Sequence, residues 1–484
     1  MSVPRLSLRS LARLPAGARP RVDPAARRVG IVHLGIGAFH RAHQAVYTED
    51  AGDWGSCGVT QRSAAVARQL LPQDGLYAVL SKAPAGDDVR VVGSVREVLV
   101  GPDDPGAVVA RIADPAIRVV TLTVTEKGYR RDPATGRLRR DDPEVAADLA
   151  GRTPRTVVGQ LVAGLDRRRR TDAGPLTVVC CDNLPANGPA LRRLVTDYVA
   201  DDALAAWIGA SVRFPATMVD RIVPATTDAD RAEVTRLLGV ADDGAVVAEP
   251  FSQWVIEDDF AADRPAWEKA GAILTADVAP YETVKLRMLN GAHSTLAYLG
   301  ALAGHEHIAD AVADPVLAEV AGRLMTDDVV PTLAPPAGLD LADYGATVLD
   351  RFANPALRHT CRQVAMDGTQ KLPQRLLGTA VDRLAAGAEP SWVAFAVAAW
   401  MRYVSAGHSE DGRPIAVDDP LADRLASALA GGTEPAAVVD RLVSLDEVFG
   451  ELGGSAAFRD LLVGHLGRLA GDGVREACRG ALRA

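Results

Sequence analysis

A chain of 484 residues is too long for one ordinary core and calls for two or three domains on size alone. With 48% apolar and 24% charged residues the composition is globular, which excludes a disordered, collagen-like or coiled-coil chain. The net charge of −9 excludes an overall pull toward nucleic acid or anionic membrane, and the longest apolar run, around Trp392 to Met401, is about half of a membrane span.

Of the 53 basic residues only Lys82, Lys127, Lys269, Lys285 and Lys371 are lysines. A background that turns lysine into arginine wherever plain charge suffices leaves lysine where arginine fails. A partly buried lysine can release its proton, and a guanidinium cannot. The five cysteines are odd in number and show no C-x-x-C pair, which reads as buried thiols in a reducing, cytoplasmic setting. The arginine-rich start, MSVPRLSLRSLARLPAGARPR, reads as a plain N-terminal extension rather than a transit peptide.

From Arg27, RRVGIVHLGIGAFHRAHQAVYTED gives an apolar run, a glycine turn and a helical stretch. Further apolar runs at Tyr77 to Leu80, Val89 to Val92, Val119 to Val124 and Leu176 to Cys180 alternate with helical or loop sequence, predicting a largely parallel sheet covered by helices. After about Tyr281 helical periodicity dominates. The expected division is residues 28–280 and 281–484, with a cleft between the two parts. His33, inside the first strand, reads as a satisfied core histidine, and Arg167 to Arg170 as a solvated helix end rather than an RNA patch.

Gly35-Ile36-Gly37-Ala38-Phe39-His40 supplies the first two glycines of a dinucleotide fingerprint, with His40 in place of the third. The first permits a tight turn and the second a close approach of pyrophosphate to backbone. The acid that should follow the second strand is missing: Gly55 to Arg62 holds no carboxylate and one arginine, which leaves NAD and NADP both open.

Tyr281 to His293 carries the densest chemistry. At about 100° per residue, Glu282, Lys285, Asn290 and His293 share an arc of roughly 140° with Leu286 and Leu289. Oxidising an alcohol without a metal needs a base for the hydroxyl proton and donors for the oxyanion; Lys285 suits the first role, Asn290 and His293 the second. The plainer alternative is a solvated face with Lys285 paired to Glu282.

The blocks IVHLGIGAFHRAHQAVY from Ile31, LTVTEKGY from Leu122, CDNLPANG from Cys181, FPATMVDRIVPAT from Phe214, EPFSQWVIED from Glu249, KLRMLNGAHSTLAYLG from Lys285 and MDGTQKLPQR from Met366 together resemble the mannitol dehydrogenase family, over nearly the whole chain. That family of polyol-specific dehydrogenases and reductases includes mannitol 2-dehydrogenase and fructuronate reductase. The resemblance implies an N-terminal Rossmann-type domain, a mainly helical C-terminal domain, and hydride exchange between NAD (or NADP) and a polyol or hexonate. It implies Lys285 as the base, Asn183 and Asn290 as the oxyanion cradle, and Glu282 as a gate for proton exchange. His293, Asp220 and Lys371 match substrate positions, joined by Arg375 or Arg362 should the substrate carry a carboxylate. Gly35, Ile36, Gly37, Ala38 and Phe39, with Thr123, Glu126 and Lys127, fall on the cofactor side.

Gln363 stands where mannitol 2-dehydrogenases carry an arginine, which shifts weight toward the fructuronate reductase branch. Simpler readings stay open: Asp220 and Arg221 as an ion pair, Asn183 as a turn residue, and Asn187-Gly188 as a tight turn. No metal is called for, since a zinc enzyme would lack its cysteine cluster. The other function class is a non-catalytic sugar or nucleotide sensor on the same fold. The expected partner is a small polyol or sugar acid, with no nucleic acid or membrane, on a monomer or small homo-oligomer.

Overall fold

Strand β1 (Arg28–Leu34) is buried along its last five residues, which forces neighbours on both sides. The computed structural model describes residues 3–132 and 135–484, and the chain forms two compact units, Met1–Ala279 and Pro280–Ala484. The first unit holds β2 (Trp54–Thr60), β3 (Tyr77–Ser81), β4 (Asp88–Val92), β5 (Val95–Val100), β6 (Val119–Leu122), β7 (Leu176–Cys180), β8 (Val212–Arg213), β9 (Thr217–Asp220), β10 (Val246–Ala248), β11 (Gln253–Glu257) and β12 (Ile273–Thr275).

Six of these form one sheet in the order β5-β2-β1-β6-β7-β8, with every pair parallel. The chain enters at β1, builds outward through β2 and β5, then returns to β6 and builds the other way. The order therefore reverses between β1 and β6, where open α/β sheets bind their ligands.

Two expected strands lie elsewhere. β3 and β4 pair antiparallel, Tyr77 opposite Val92, in a three-stranded sheet ordered β10-β3-β4. Their connection is too short for a parallel crossover, so a hairpin is the one available geometry. A third sheet, β12-β11-β9, completes the unit. All five cysteines are buried and free, as expected of thiols used as small hydrophobes.

The start of the chain is not a plain extension. Leu6, Leu14 and Ala18 are buried against Leu76, Ala78, Leu80 and Val91, and Pro4 and Leu6 exchange backbone hydrogen bonds with Ala241 at 2.8 Å. The arginine run is also more than a solvated helix end. Arg169 and Arg170 reach Asp166, but Arg168 is fully buried at the end of the helix Val157–Thr171 and donates to the carbonyls of Ile112, Asp114, Ala173, Gly174 and Pro175.

The second unit is helical around Ser391–Ala406, whose residues Val393 to Met401 are all buried. The longest apolar run is thus a central core helix, flanked by Gly291–Leu302 and Ala456–Gly471. Among the described residues no helix is long and apolar enough to cross a membrane. Three helices widen into π turns, at Lys285–Asn290, Leu324–Val329 and Pro373–Leu377, and the first packs against both others.

Removing the guanidinium of Arg168 strands several buried carbonyls, so Arg168→Ala is expected to cost about 3 kcal/mol and Arg170→Ala less than about 0.5 kcal/mol, read as shifts in urea midpoint.

Candidate active site

At the end of β1 the chain turns on Gly35, at φ +97°, where a Cβ would lie 2.1 Å from the Thr123 carbonyl oxygen. Only glycine lets the ends of β1 and β6 approach this closely. The Gly35 and Ile36 amides donate to the Val59 carbonyl, and the buried Ile36 side chain occupies the space that a Cβ on Gly58 would need. Gly37 differs: a Cβ there would meet nothing closer than 3.8 Å. The protein leaves that space open at the start of the helix Ala38–Ala42, the room a pyrophosphate against the backbone requires. The residues present fit a dinucleotide.

His33 fixes this turn from below. Its Nδ1 lies 2.7 Å from Thr121 Oγ1, and its Nε2 lies 2.9 Å from Thr123 Oγ1 and 3.1 Å from the Gly35 carbonyl. Thr123 Oγ1 donates to the same carbonyl at 2.9 Å, which assigns the imidazole its Nε2–H tautomer, with Thr121 donating to Nδ1. Burial pushes this histidine down to about 3, so it stays neutral. His40, in the third glycine's place, stacks on His33 with ring centroids 3.3 Å apart. The helix breaks at His43, whose ring stacks on Phe39, and resumes as Gln44–Asp50.

The loops after β6 and β7 are tied together by Asp182, a residue that the motifs of the sequence do not single out. Its carboxylate accepts from the Val124 and Thr125 amides at 2.9 and 3.0 Å and from Tyr129 Oη at 2.6 Å, while burial pushes its carboxyl up from the ordinary range. Thr125 is held at φ +69°, an uncommon conformation for a threonine. Glu126 and Lys127 stand exposed on the turn Glu126–Tyr129, and Asn183 stands exposed beside Asp182. A carboxylate at the end of a parallel strand beside the switch point is the available signal for Asp182.

Asn187-Gly188 is not a simple turn. It opens the helix Asn187–Tyr198, and the buried Asn187 amide donates to the carbonyls of Asp182 and Thr217 and accepts from the Thr217 amide. Asp220 is buried at the end of β9. Arg221 does not pair with it: the guanidinium donates to the Glu249 and Ala42 carbonyls, so the ion-pair alternative gives way to a bridge between the loop after β10 and the helix Ala38–Ala42.

In the second unit, Lys285 is 7% exposed, which removes the solvated-face alternative. It opens the π turn Lys285–Asn290, so the 100° spiral assumed from sequence does not hold there. A π turn accommodates one extra residue and rotates the rest of the helix back by about 100°, which brings Asn290 and His293 closer to the direction of Lys285 and narrows the arc to roughly 80°. On the opposite side, Arg287 reaches Thr332 at 2.9 Å and Asp382 at 2.5 Å, bracing the first π turn against the segments just beyond the other two. A Cβ on Gly291 would lie 3.0 Å from the Arg375 carbonyl oxygen, so this glycine lets the third π turn seat against the first.

His293 is buried, stacks on Phe352 at 4.5 Å and lies 5.2 Å from His359. Burial first, then the neighbouring His359, Arg375, Lys371 and Arg351, hold it well below its ordinary value. Arg375 donates to Ser294 Oγ at 3.0 Å, and Lys371 Nζ donates to the Val364 and Met366 carbonyls. Arg362 is exposed on Cys361–Ala365, and its charge acts on Tyr403. Gln363 is exposed too, and its side chain closes a capping box with Thr360, a local task that explains a glutamine there without reference to substrate.

A parallel sheet with an open glycine turn at its switch point, followed by a helical unit carrying a buried lysine, defines a dinucleotide-dependent dehydrogenase. Residues 29–269 match the mannitol dehydrogenase Rossmann domain and residues 277–469 the mannitol dehydrogenase C-terminal domain, so the chain belongs to the mannitol dehydrogenase family of oxidoreductases. It is 47% identical to an uncharacterised Escherichia coli oxidoreductase, YdfI, over 87% of this chain and 88% of that one. It is 44% identical to E. coli D-mannonate oxidoreductase over 84% and 85%. The structure of Pseudomonas fluorescens mannitol 2-dehydrogenase, a ternary complex with NAD and D-mannitol, superposes with a TM-score of 0.88 at 37% identity over 99% of both chains.

The two glycines separate folding from binding. Gly35→Ala is expected to lower the melting temperature by several degrees, and Gly37→Ala to leave it within about 2 °C while weakening NADH binding at least about tenfold by titration calorimetry. His33 sets an acid edge. The unfolded chain takes up its proton near the ordinary 6.5 and the folded chain only near 3, so its contribution is complete above that window and falls away with pH inside it. Replacing it by glutamine should flatten the stability profile between about pH 4 and 6.5 by about 1 kcal/mol per pH unit in urea titrations.

Proposed function

We propose that the chain interconverts a secondary alcohol of an acyclic polyol or hexonate and the matching ketose or keto-acid, using NAD and no metal. The observation that carries the reading is the buried Lys285 on a π turn that swings Asn290 and His293 toward its own side of the helix. Bound NAD supplies the hydride acceptor at its nicotinamide. Gly35, Ile36, Gly37, Ala38 and Phe39 take the pyrophosphate side, with Thr123, Glu126 and Lys127 along the neighbouring loop.

Lys285, entering as the free amine, takes the hydroxyl proton as the carbon–hydrogen bond is given up, and Glu282 passes that proton toward solvent. The Asn183 and Asn290 amides donate to the oxygen as negative charge grows on it. His293, kept neutral by burial and by the cations around it, hydrogen-bonds a substrate hydroxyl without adding charge, and Asp220 accepts from another.

The cations Arg375, Lys371 and Arg351 around His293 favour a substrate with a carboxylate at its far end, held by Arg375 and Lys371. Similarity to D-mannonate oxidoreductase supports the same branch. A neutral polyol is the second reading, favoured by the likeness to mannitol 2-dehydrogenase.

Lys285→Ala should lower kcat by about a thousandfold and leave the Kd for NADH within about threefold, and Lys285→Arg should not restore turnover. A variant with wild-type kcat near neutral pH removes the base assignment. A panel of mannonate, altronate, mannitol and arabinitol, monitored by NADH absorbance, decides the substrate branch.

A further inference from the structure

The end of β2 reads Thr60-Gln61-Arg62-Ser63. In a parallel dinucleotide-binding sheet this is where a carboxylate holds the adenosine ribose and, by charge, turns a 2′-phosphate away. Here the only charged group is Arg62. Its guanidinium is exposed and donates to the neutral Thr125 hydroxyl at 3.3 Å, and among the described residues no carboxylate lies within ion-pair distance of it. Thr125 follows β6, and β1 lies between β2 and β6, so this contact crosses the end of β1 just beyond Gly35. The guanidinium is thereby tied between the loops after β2 and β6, which flank β1, by a long, solvent-exposed bond that a stronger acceptor can displace.

The neighbours of Arg62 are already engaged or neutral. Gln61 donates its amide to the buried Gln160 at 3.1 Å, and Ser63 Oγ accepts from the Ala65 amide at 3.4 Å, which leaves the serine hydroxyl proton free to donate. The backbone geometry of the turn itself is indifferent to the 2′ position, because Gly35 and Gly37 serve the pyrophosphate common to both nicotinamide dinucleotides.

We infer that Arg62, with Ser63, forms a seat for a 2′-phosphate, so that the enzyme takes NADP(H) as well as NAD(H). The inference rests on the reading of the glycine turn as a nicotinamide dinucleotide site. Two donors, one of them a guanidinium, face a dianionic phosphate with no carboxylate at the end of β2 to oppose it. For NADH the Ser63 hydroxyl serves a ribose hydroxyl and the exposed guanidinium stays with Thr125, so neither cofactor is excluded.

Binding without substrate tests this. Titration calorimetry with NADH, NADPH, 5′-AMP and 2′,5′-ADP on the full chain should give a Kd for NADPH within about threefold of that for NADH, and tighter binding of 2′,5′-ADP than of 5′-AMP. Arg62→Ala should weaken NADPH and 2′,5′-ADP by at least about tenfold and move NADH and 5′-AMP by no more than about twofold, with Arg62→Lys falling between. NADH binding with NADPH more than about tenfold weaker in the wild type overturns the inference, as does an equal loss of both cofactors in Arg62→Ala, which would place the guanidinium on the shared pyrophosphate. Failure of both dinucleotides to bind the wild type overturns the cofactor reading itself, and this inference with it.

Discussion

The carbonyl of Gly35 is the point on which the first unit is organised. It accepts from Thr123 Oγ1, lies 3.1 Å from His33 Nε2 and receives the Gly37 amide at 2.6 Å, so β1, β6 and the glycine turn converge on one oxygen. That convergence needs a backbone with no Cβ at Gly35 and an imidazole that carries no charge. Asp182 extends the same knot sideways by fastening the loop after β6 to the loop after β7. The surface left over is shaped by what the backbone refuses to fill, and Gly37 marks it.

The second unit solves a different problem, the presentation of an amine, an amide and an imidazole in one direction from a buried helix. A regular spiral spreads these side chains too widely. The π turn at Lys285–Asn290 gathers them, and such turns persist only when neighbours hold them, because their hydrogen bonding is poorer than that of an α-helix. Arg287 supplies that hold on the far side through Thr332 and Asp382, and Gly291 allows the segment bearing Arg375 to pack at backbone distance. The cost of the wide turn is thus spread across three helices, two of which carry π turns of their own.

Much of this is legible in the chain. Apolar runs locate β1, β6 and β7, the glycine spacing locates the turn, and the scarcity of lysine draws attention to Lys285. His33 is legible as a satisfied core group because it sits inside an apolar strand. The features that escape have a common origin: periodicity and spacing carry no information about long-range partners. Nothing near Arg168 in sequence announces the carbonyls of Ile112 and Asp114, and nothing near Asn187 announces Thr217. The arc of the lysine helix comes out too wide because a regular pitch is assumed where packing imposes a broader turn. Gln363 is spoken for by a local cap with Thr360, which its spacing from Lys371 does not announce.

The packing of the first residues bears on how the molecule is made. Leu6 lies far in sequence from what holds it: its backbone partner is Ala241 and its side-chain neighbours come from β3, β4 and the helix Asp228–Leu238. Its apolar neighbours on β3 and β4 are therefore made early, but its small core closes only when residue 241, half the sequence later, has joined it.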